Sequence, residues 1–289
     1  MDTVAVFIHG FLGGAASTWE HFPFVMDVCL DKYPWWETTD AFFLDYDGSH
    51  EKPIAVHSEN CQRFLGSIFP LPNEKIFRPS FAPLEGLREK GFTYKKLILV
   101  GHSEGAVIIR RFLVSHYKRV RDSRPQELLT KLGRGAAQTS EFAAATKNFL
   151  VANPVLDATL VLFAPALHGA SLTGWPGLFL GYLRTVKLLT PLIDTLTGYD
   201  ELKKGSPVLA QLQRDTESFA SEASYCKAFR GQSYFGDKDK IVYISEYSSD
   251  PAAIIVPGQT HGSVCKPNLN YREPVSYVRY DQGRSRSAT

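Results

Sequence analysis

The amino-acid sequence predicts an α/β protein with a mostly parallel central sheet of about six strands and helices on both faces. Three observations lead to this prediction. Short aliphatic runs alternate with helical patterns along 289 residues, 44% of the residues are hydrophobic, and one apolar run passes directly into Gly-x-Ser-x-Gly. We expect a single domain that spans residues 1–289, because this length and composition suffice for one large core.

The expected strands are the short runs rich in aliphatic and aromatic residues. Helical spacing of apolar residues separates most of these runs, and this βαβ alternation is typical of a parallel sheet. One such helical pattern places Ile54, Cys61, Leu65 and Ile68 on one face. We expect strands at residues 4–8, 41–45, 97–100, 159–163, 228–235 and 253–256.

The third expected strand is the first part of the sequence LILVGHSEG at residues 97–105. Four aliphatic residues fit a buried parallel strand, and the two glycines permit a turn so sharp that Ser103 must adopt a strained backbone conformation. Ala106, Ile109 and Leu113 then recur at helical spacing. A serine between a strand and a helix N-terminus is exposed to a field that favours developing negative charge, so we predict that Ser103 is a nucleophile.

The first expected strand ends in a glycine-rich loop, residues 9–14, with the sequence HGFLGG. Such a loop lets backbone N–H groups approach a substrate carbonyl oxygen closely. We therefore assign an oxyanion hole to the backbone N–H groups of Phe11 and Glu104. His9 precedes the serine in the chain, and we expect it to order the loop by hydrogen bonding rather than to act as the base.

These two motifs and two later segments resemble the α/β-hydrolase superfamily, nearest to its lipase and esterase branches. The segment GDKDKIV at residues 236–242 resembles the family's acid loop, and PGQTHG at residues 257–262 resembles its histidine loop. The resemblance implies a Ser-Asp-His order with Asp239 as the acid and His261 as the base. Asp237 stays the alternative acid, because the two aspartates are neighbours on one loop.

A Ser-His-Asp triad predicts a serine hydrolase that cleaves carboxylic esters through an acyl-enzyme. The alternatives are an acyltransferase or thioesterase with the same triad, or a non-catalytic ligand-binding protein on the same fold. By their positions near the cleft, Leu12, Leu167 and His168 are candidate substrate contacts. Glu104 either repels anionic substrates or points into solvent.

Residues 170–222 form a longer connection than the fold requires. Within it, residues 178–196 are apolar on most sides but contain Arg184, Lys187, Asp194 and Pro191, which argue against a membrane span. We expect a helical cap or lid over the active site; plain packing against the core is the alternative, and transient contact with a lipid surface is a third reading.

Composition excludes several other classes of protein. A net charge of +2 gives no reason to expect a nucleic-acid partner, and we expect a small-molecule ester or a lipid as substrate, with no integral membrane contact. The four cysteines lack zinc-ligand spacing, so we expect no metal and no cofactor. No signal-peptide pattern is visible, and the expected location is cytoplasmic.

Overall fold

The computed structural model describes residues 2–11, 13–46, 52–72, 91–123, 140–171 and 197–279. Leu12 and the apolar stretch at residues 178–196 lie outside these ranges. The expectations that concern them, a substrate contact and a cap helix, therefore stay predictions.

The described chain contains a six-stranded sheet in which every neighbouring pair is parallel. The strands are β1 (Thr3–Ile8), β2 (Thr39–Leu44), β3 (Lys96–His102), β4 (Thr159–Phe163), β5 (Gly231–Gly236) and β6 (Ile254–Val256). Their order in the sheet is β2-β1-β3-β4-β5-β6. This confirms the predicted fold class.

The predicted strand at residues 228–235 begins later than expected. Lys227–Phe229 is a 3₁₀ turn, and β5 starts at Gly231. Phe229 is fully buried, but its carbonyl oxygen accepts a hydrogen bond of 2.8 Å from Nη1 of Arg110 instead of joining the sheet. The apolar character of this turn therefore reflects helix packing and not strand pairing.

Helices lie between the strands, and two of them define the packing around the site. In α3 (Ile54–Ile68) the four apolar residues predicted to share one face are all buried, and in α4 (Glu104–Asp122) so are Ala106, Ile109 and Leu113. The helices are α1 (Ala15–Trp19), α2 (Phe22–Val28), α3 (Ile54–Ile68), α4 (Glu104–Asp122), α5 (Ser140–Ala152), α6 (Thr197–Leu202), α7 (Pro207–Glu222) and α8 (Glu273–Tyr277).

The described end of the 170–222 segment packs against the protein core. The buried side of α7 includes Leu209, Leu212 and Phe219, and the ring of Phe219 lies 4.8 Å from that of Tyr117 on α4. This end of the segment therefore contributes a helix to the layer that covers the sheet.

The strand order also fixes where a site can form. From β1 the chain passes to β2 on one side and then returns to β3 on the other side. Such a reversal opens a crevice at the carboxyl ends of the two central strands, where parallel α/β sheets bind their ligands. His9 and Ser103 follow these two strand ends directly.

Candidate functional site

Ser103 occupies a sharp turn between β3 and α4. Its backbone has φ 55° and ψ −118°, and residues other than glycine rarely adopt such a positive φ. The strain predicted from the sequence is therefore present. The turn directs the serine hydroxyl to the carboxyl edge of the sheet, above the N-terminus of α4.

Two glycines allow the loop after β1 to touch this turn. A Cβ atom at Gly10 would lie 2.6 Å from Cβ of Ser103, and one at Gly105 would lie 2.3 Å from the carbonyl oxygen of Ile8. Both distances are too short for any other residue. The backbone next to Phe11 is therefore held against the serine.

The two candidate oxyanion donors occupy different environments. Glu104 is the first residue of α4, so its N–H has no acceptor within the helix. Phe11 lies in the turn after β1 and is half-buried. Their donation to a substrate oxygen stays a prediction.

The structure brings Ser103, His261 and Asp239 into one chain of hydrogen bonds. Nε2 of His261 lies 3.0 Å from Oγ of Ser103, and Nδ1 lies 3.0 Å from Oδ2 of Asp239. A carboxylate can only accept, so Nδ1 carries a proton and donates a hydrogen bond to Asp239. Nε2 is then the acceptor for the serine hydroxyl.

Asp239 is held in its ionised form. Burial works to raise the pKa of its carboxyl, but the hydrogen bond from His261 and those from the N–H groups of Ile241 and Val242 lower that pKa below its ordinary value. The two backbone donors lie 2.8 and 3.2 Å from Oδ1. Asp237, the alternative acid, is exposed.

His9 contacts the loop that it was predicted to order. Its ring is fully buried, Nδ1 lies 2.9 Å from the carbonyl oxygen of Gly10, and Nε2 lies 3.2 Å from Asp45. The ring stacks on Tyr46 at 4.1 Å. These contacts fix the direction in which the chain leaves β1.

His102 holds the backbone of His261. Nε2 of His102 donates a 2.9 Å hydrogen bond to the carbonyl oxygen of His261, and the two rings lie 4.9 Å apart. Burial, together with the nearby His261, lowers the pKa of His102 to about 3. His102 is therefore a neutral donor at physiological pH.

The side chain of Glu104 does not point into solvent, which corrects one of the two readings of this residue. It is 3% exposed, and Oε2 lies 3.5 Å from the hydroxyl of Tyr46. Burial is the largest cause that raises the pKa of its carboxyl to about 8. Sequence reasoning missed Tyr46, although its place just after β2 puts it at the same edge of the sheet.

Asp250 is another buried carboxylate, and it closes a turn in which its N–H donates a 2.9 Å hydrogen bond to the carbonyl oxygen of Tyr247. Its side chain is fully buried and paired with Nη2 of Arg110, which is also fully buried. Oδ1 of Asp250 further accepts a 2.7 Å hydrogen bond from the N–H of Gly231. Arg110, two turns into α4, thus ties the helix that begins after Ser103 to the start of β5.

The remaining predicted contacts lie at the edge of β4. Leu167 is 1% exposed and belongs to the core. His168 is half-buried, and its Nε2 lies 3.3 Å from the carbonyl oxygen of Glu246. Contact of either residue with a substrate stays a prediction.

Within the described ranges, no three His, Cys, Asp or Glu side chains form a group that could hold a metal ion. All four cysteines are buried thiols rather than disulfides. None of the helices in these ranges has the length and apolar character needed to cross a membrane.

Three features now coincide. The chain reverses the direction in which it adds strands to the parallel sheet after β2, a strained serine lies between a strand and a helix, and the chain order is Ser103, Asp239, His261. The chain has the α/β-hydrolase fold. No protein-family model and no curated protein matches the sequence.

Several solved structures are similar over most of the chain. Phospholipase PlaB from Legionella pneumophila is 14% identical with a TM-score of 0.46, covering 82% of this chain and 39% of that one. An extracellular alpha/beta-hydrolase from a Paenibacillus species is 13% identical with a TM-score of 0.39, covering 95% and 97%. The lin2722 gene product of Listeria innocua is 10% identical with a TM-score of 0.47, covering 96% and 94%. The chain therefore spans about two fifths of PlaB, and none of these likenesses indicates what it acts on.

Proposed function

We propose that this chain is a serine hydrolase that cleaves carboxylic esters through an acyl-enzyme. The observation that supports this most is the continuous chain of hydrogen bonds from Oγ of Ser103 through the ring of His261 to Asp239, with both links at 3.0 Å. Its order of acceptor and donor is the one that removes a proton from a serine hydroxyl.

In the proposed reaction, Nε2 of His261 accepts the proton of Ser103 as Oγ attacks the ester carbonyl. The negative oxygen of the tetrahedral intermediate accepts hydrogen bonds from the N–H groups of Phe11 and Glu104. His261, now charged and stabilised by Asp239, gives its proton to the leaving alcohol. Water then repeats these steps on the acyl-enzyme and releases the acid.

The fold contributes to this chemistry through α4. Its unpaired N-terminal N–H groups point toward the carboxyl edge of the sheet, where negative charge develops on the substrate. Because the turn at Ser103 is fixed by the contact of Gly10, the donors are in place before the substrate arrives.

For the substrate, the proposal includes both small esters and lipid esters. Leu12, Leu167 and His168 are the proposed contacts, and residues 170–222 are the proposed roof of an apolar acyl pocket. Apolar burial favours binding by about 0.8 kcal/mol for each methylene, so turnover across acyl lengths reports the depth of such a pocket.

The proposal is tested with p-nitrophenyl esters from acetate to palmitate, with and without a fluorophosphonate. We expect ester hydrolysis, labelling of Ser103, and loss of both in Ser103→Ala and His261→Ala. Ser123→Ala, which removes an exposed serine at the far end of α4, is the matched control. Near-native hydrolysis by folded Ser103→Ala would overturn the proposal, and transfer of the acyl group to an added alcohol or thiol in preference to water would convert it to an acyltransferase.

A further inference from the structure

The side chain of Glu104 has no part in the proposed reaction, although it directly follows the nucleophile. It is 3% exposed, and it lies on the same buried face of α4 as Ile108. A buried carboxyl in this place needs a partner, because burial of an unpaired polar group is costly. The hydroxyl of Tyr46 lies 3.5 Å from its Oε2.

The single proton of the Tyr46 hydroxyl decides how this contact works. The hydroxyl oxygen lies 2.9 Å from the carbonyl oxygen of His9 and 3.5 Å from Oε2 of Glu104. A carbonyl oxygen only accepts, so the tyrosine proton goes to His9 at the shorter distance. Glu104 can then bond to the same hydroxyl only as a donor, which requires its carboxyl to be protonated.

The surroundings favour the neutral carboxyl. Burial is the largest cause of the raised pKa, and the charge of Glu201 on α6 adds to it. The Tyr46 hydroxyl acts in the opposite direction, because it can turn away from His9 and donate to an ionised carboxylate. Cys61 on α3 also lies close enough to Tyr46 to contribute to the raised pKa of its hydroxyl. A cavity of about 180 Å³ beside Tyr46 is further lined by Asp45, Lys52, His57 and Asn60.

We propose that neutral Glu104 and Tyr46 form a positioning pair that holds the loop after β1, and with it the oxyanion hole, against Ser103. This inference rests on the proposed function. When Glu104 ionises, its carboxylate becomes an acceptor for the tyrosine proton, and the His9 carbonyl loses its donor. A negative charge also appears on the side chain of the residue whose N–H binds the developing oxyanion, and this charge repels the oxyanion.

The consequence is a loss of activity at alkaline pH that Glu104 controls. In the wild type, kcat falls about tenfold per pH unit beyond a midpoint near 8, as the loss of one essential proton requires. Glu104→Gln stays neutral and can donate from its amide. Relative to its own maximum, the profile of this variant lacks the alkaline fall.

Two further variants give shifts of opposite sign. Glu201→Gln removes a charge that raises the Glu104 pKa, so the fall moves to lower pH. Tyr46→Phe removes the hydroxyl that donates to the ionised carboxylate and so lowers this pKa, and the fall therefore moves to higher pH. In this variant kcat also decreases more than KM increases, because the loop loses its anchor. Glu59→Gln, on the exposed side of α3 with a side chain 68% exposed, is the control and keeps the wild-type profile.

The experiment measures kcat and KM for a p-nitrophenyl ester from pH 6 to 10, and the carboxyl ¹³C shifts of glutamate-labelled protein over the same range. The expected result is one glutamate that titrates near pH 8 in the wild type and is missing from Glu104→Gln. An unchanged alkaline fall in Glu104→Gln, or no glutamate that titrates above pH 6.5 in the wild type, overturns the inference. Failure of the proposed function is a different result: hydrolysis that persists in Ser103→Ala.

Discussion

The turn at Ser103 and the acid loop that carries Asp239 differ in the charge state of their buried titratable groups. At the turn, His102 and Glu104 flank the serine, and burial is the largest cause that lowers the pKa of the histidine to about 3 and raises that of the glutamate to about 8. On the acid loop, burial also disfavours the charged carboxylate, but the donors around Asp239 outweigh it and the pKa falls.

The difference shows that hydrogen-bond donors, and not depth, decide which buried group is charged. Asp239 accepts from His261, Ile241 and Val242. Among the described residues, Glu104 has a single long contact, with a hydroxyl that already donates to a carbonyl. This arrangement places negative charge behind His261 and away from the proposed oxyanion hole. Pairs of titratable groups whose pKa values are driven apart are typical of acid–base sites.

The strongest test of this contrast is Asp239→Asn. An asparagine cannot stabilise a charged imidazole and favours the wrong tautomer, so we expect kcat to fall by about 10³–10⁴. Asp237→Asn, two residues away and exposed, is the matched control and should retain most of the activity. Steady-state hydrolysis of a p-nitrophenyl ester measures both, and the reverse ranking would move the acid to Asp237.

A second test extends the contrast to Asp250. This buried carboxylate is paired with the cation of Arg110 in addition to a backbone N–H donor. Arg110→Met leaves a buried carboxylate without its partner, and we expect a loss of about 3–5 kcal/mol in the free energy of unfolding. The double variant Arg110→Met/Asp250→Asn should recover part of this loss. Urea denaturation measures it, and a change under 1 kcal/mol in the single variant would show that the pair contributes little.

A third test uses stability alone. The pKa of Glu104 in the folded protein, about 8, lies above the value of 4.5 for a solvated carboxyl. The stability that its protonation contributes is therefore complete below pH 4.5 and is lost as the pH rises through 8. Each pH unit in this window costs about 1.4 kcal/mol at most.

Comparison of thermal unfolding near pH 5.5 and near pH 7.5 should therefore show a drop of about 2–3 kcal/mol in the wild type that is absent from Glu104→Gln. Parallel curves for the two proteins would mean that the carboxyl is ionised across the whole range. This measurement needs no substrate, so it is independent of the proposed reaction.

The six strands and the serine, aspartate and histidine could be predicted because their signals are local. Aliphatic runs mark the strands, and the residues around Ser103 contain the turn, the strand before it and the helix after it. The choice of Asp239 over Asp237 as the acid stays a prediction, and the aspartate whose carboxylate lies beside His261 is Asp239.

The interior partners could not be predicted, since they depend on segments that meet only in the folded chain. Arg110 and Asp250 are 140 residues apart, and each alone resembles a surface residue. Tyr46 reaches Glu104 across 58 residues. One signal was available for Arg110: it lies within the run AVIIRRFLV, where an unbroken apolar face makes an arginine exceptional.

The smallest expected effect concerns His102, the other neutral neighbour of Ser103. Its Nε2 donates to the carbonyl oxygen of His261, so it positions the base through the backbone without taking part in proton transfer. His102→Phe removes one buried hydrogen bond, and we expect kcat to fall about tenfold with little change in KM. His102→Gln, whose amide can donate in its place, should recover most of this loss.

The pH profile separates this positioning role from acid–base catalysis by His102. Because burial holds its pKa near 3, His102 is neutral throughout an assay from pH 5 to 8, and the acid side of the profile should keep its position in His102→Gln. A displaced acid limb would show that His102 exchanges protons during turnover. Full activity in a folded His102→Phe would show instead that the loop of His261 is held by its other contacts, such as the hydrogen bond between Nδ1 of His261 and Asp239.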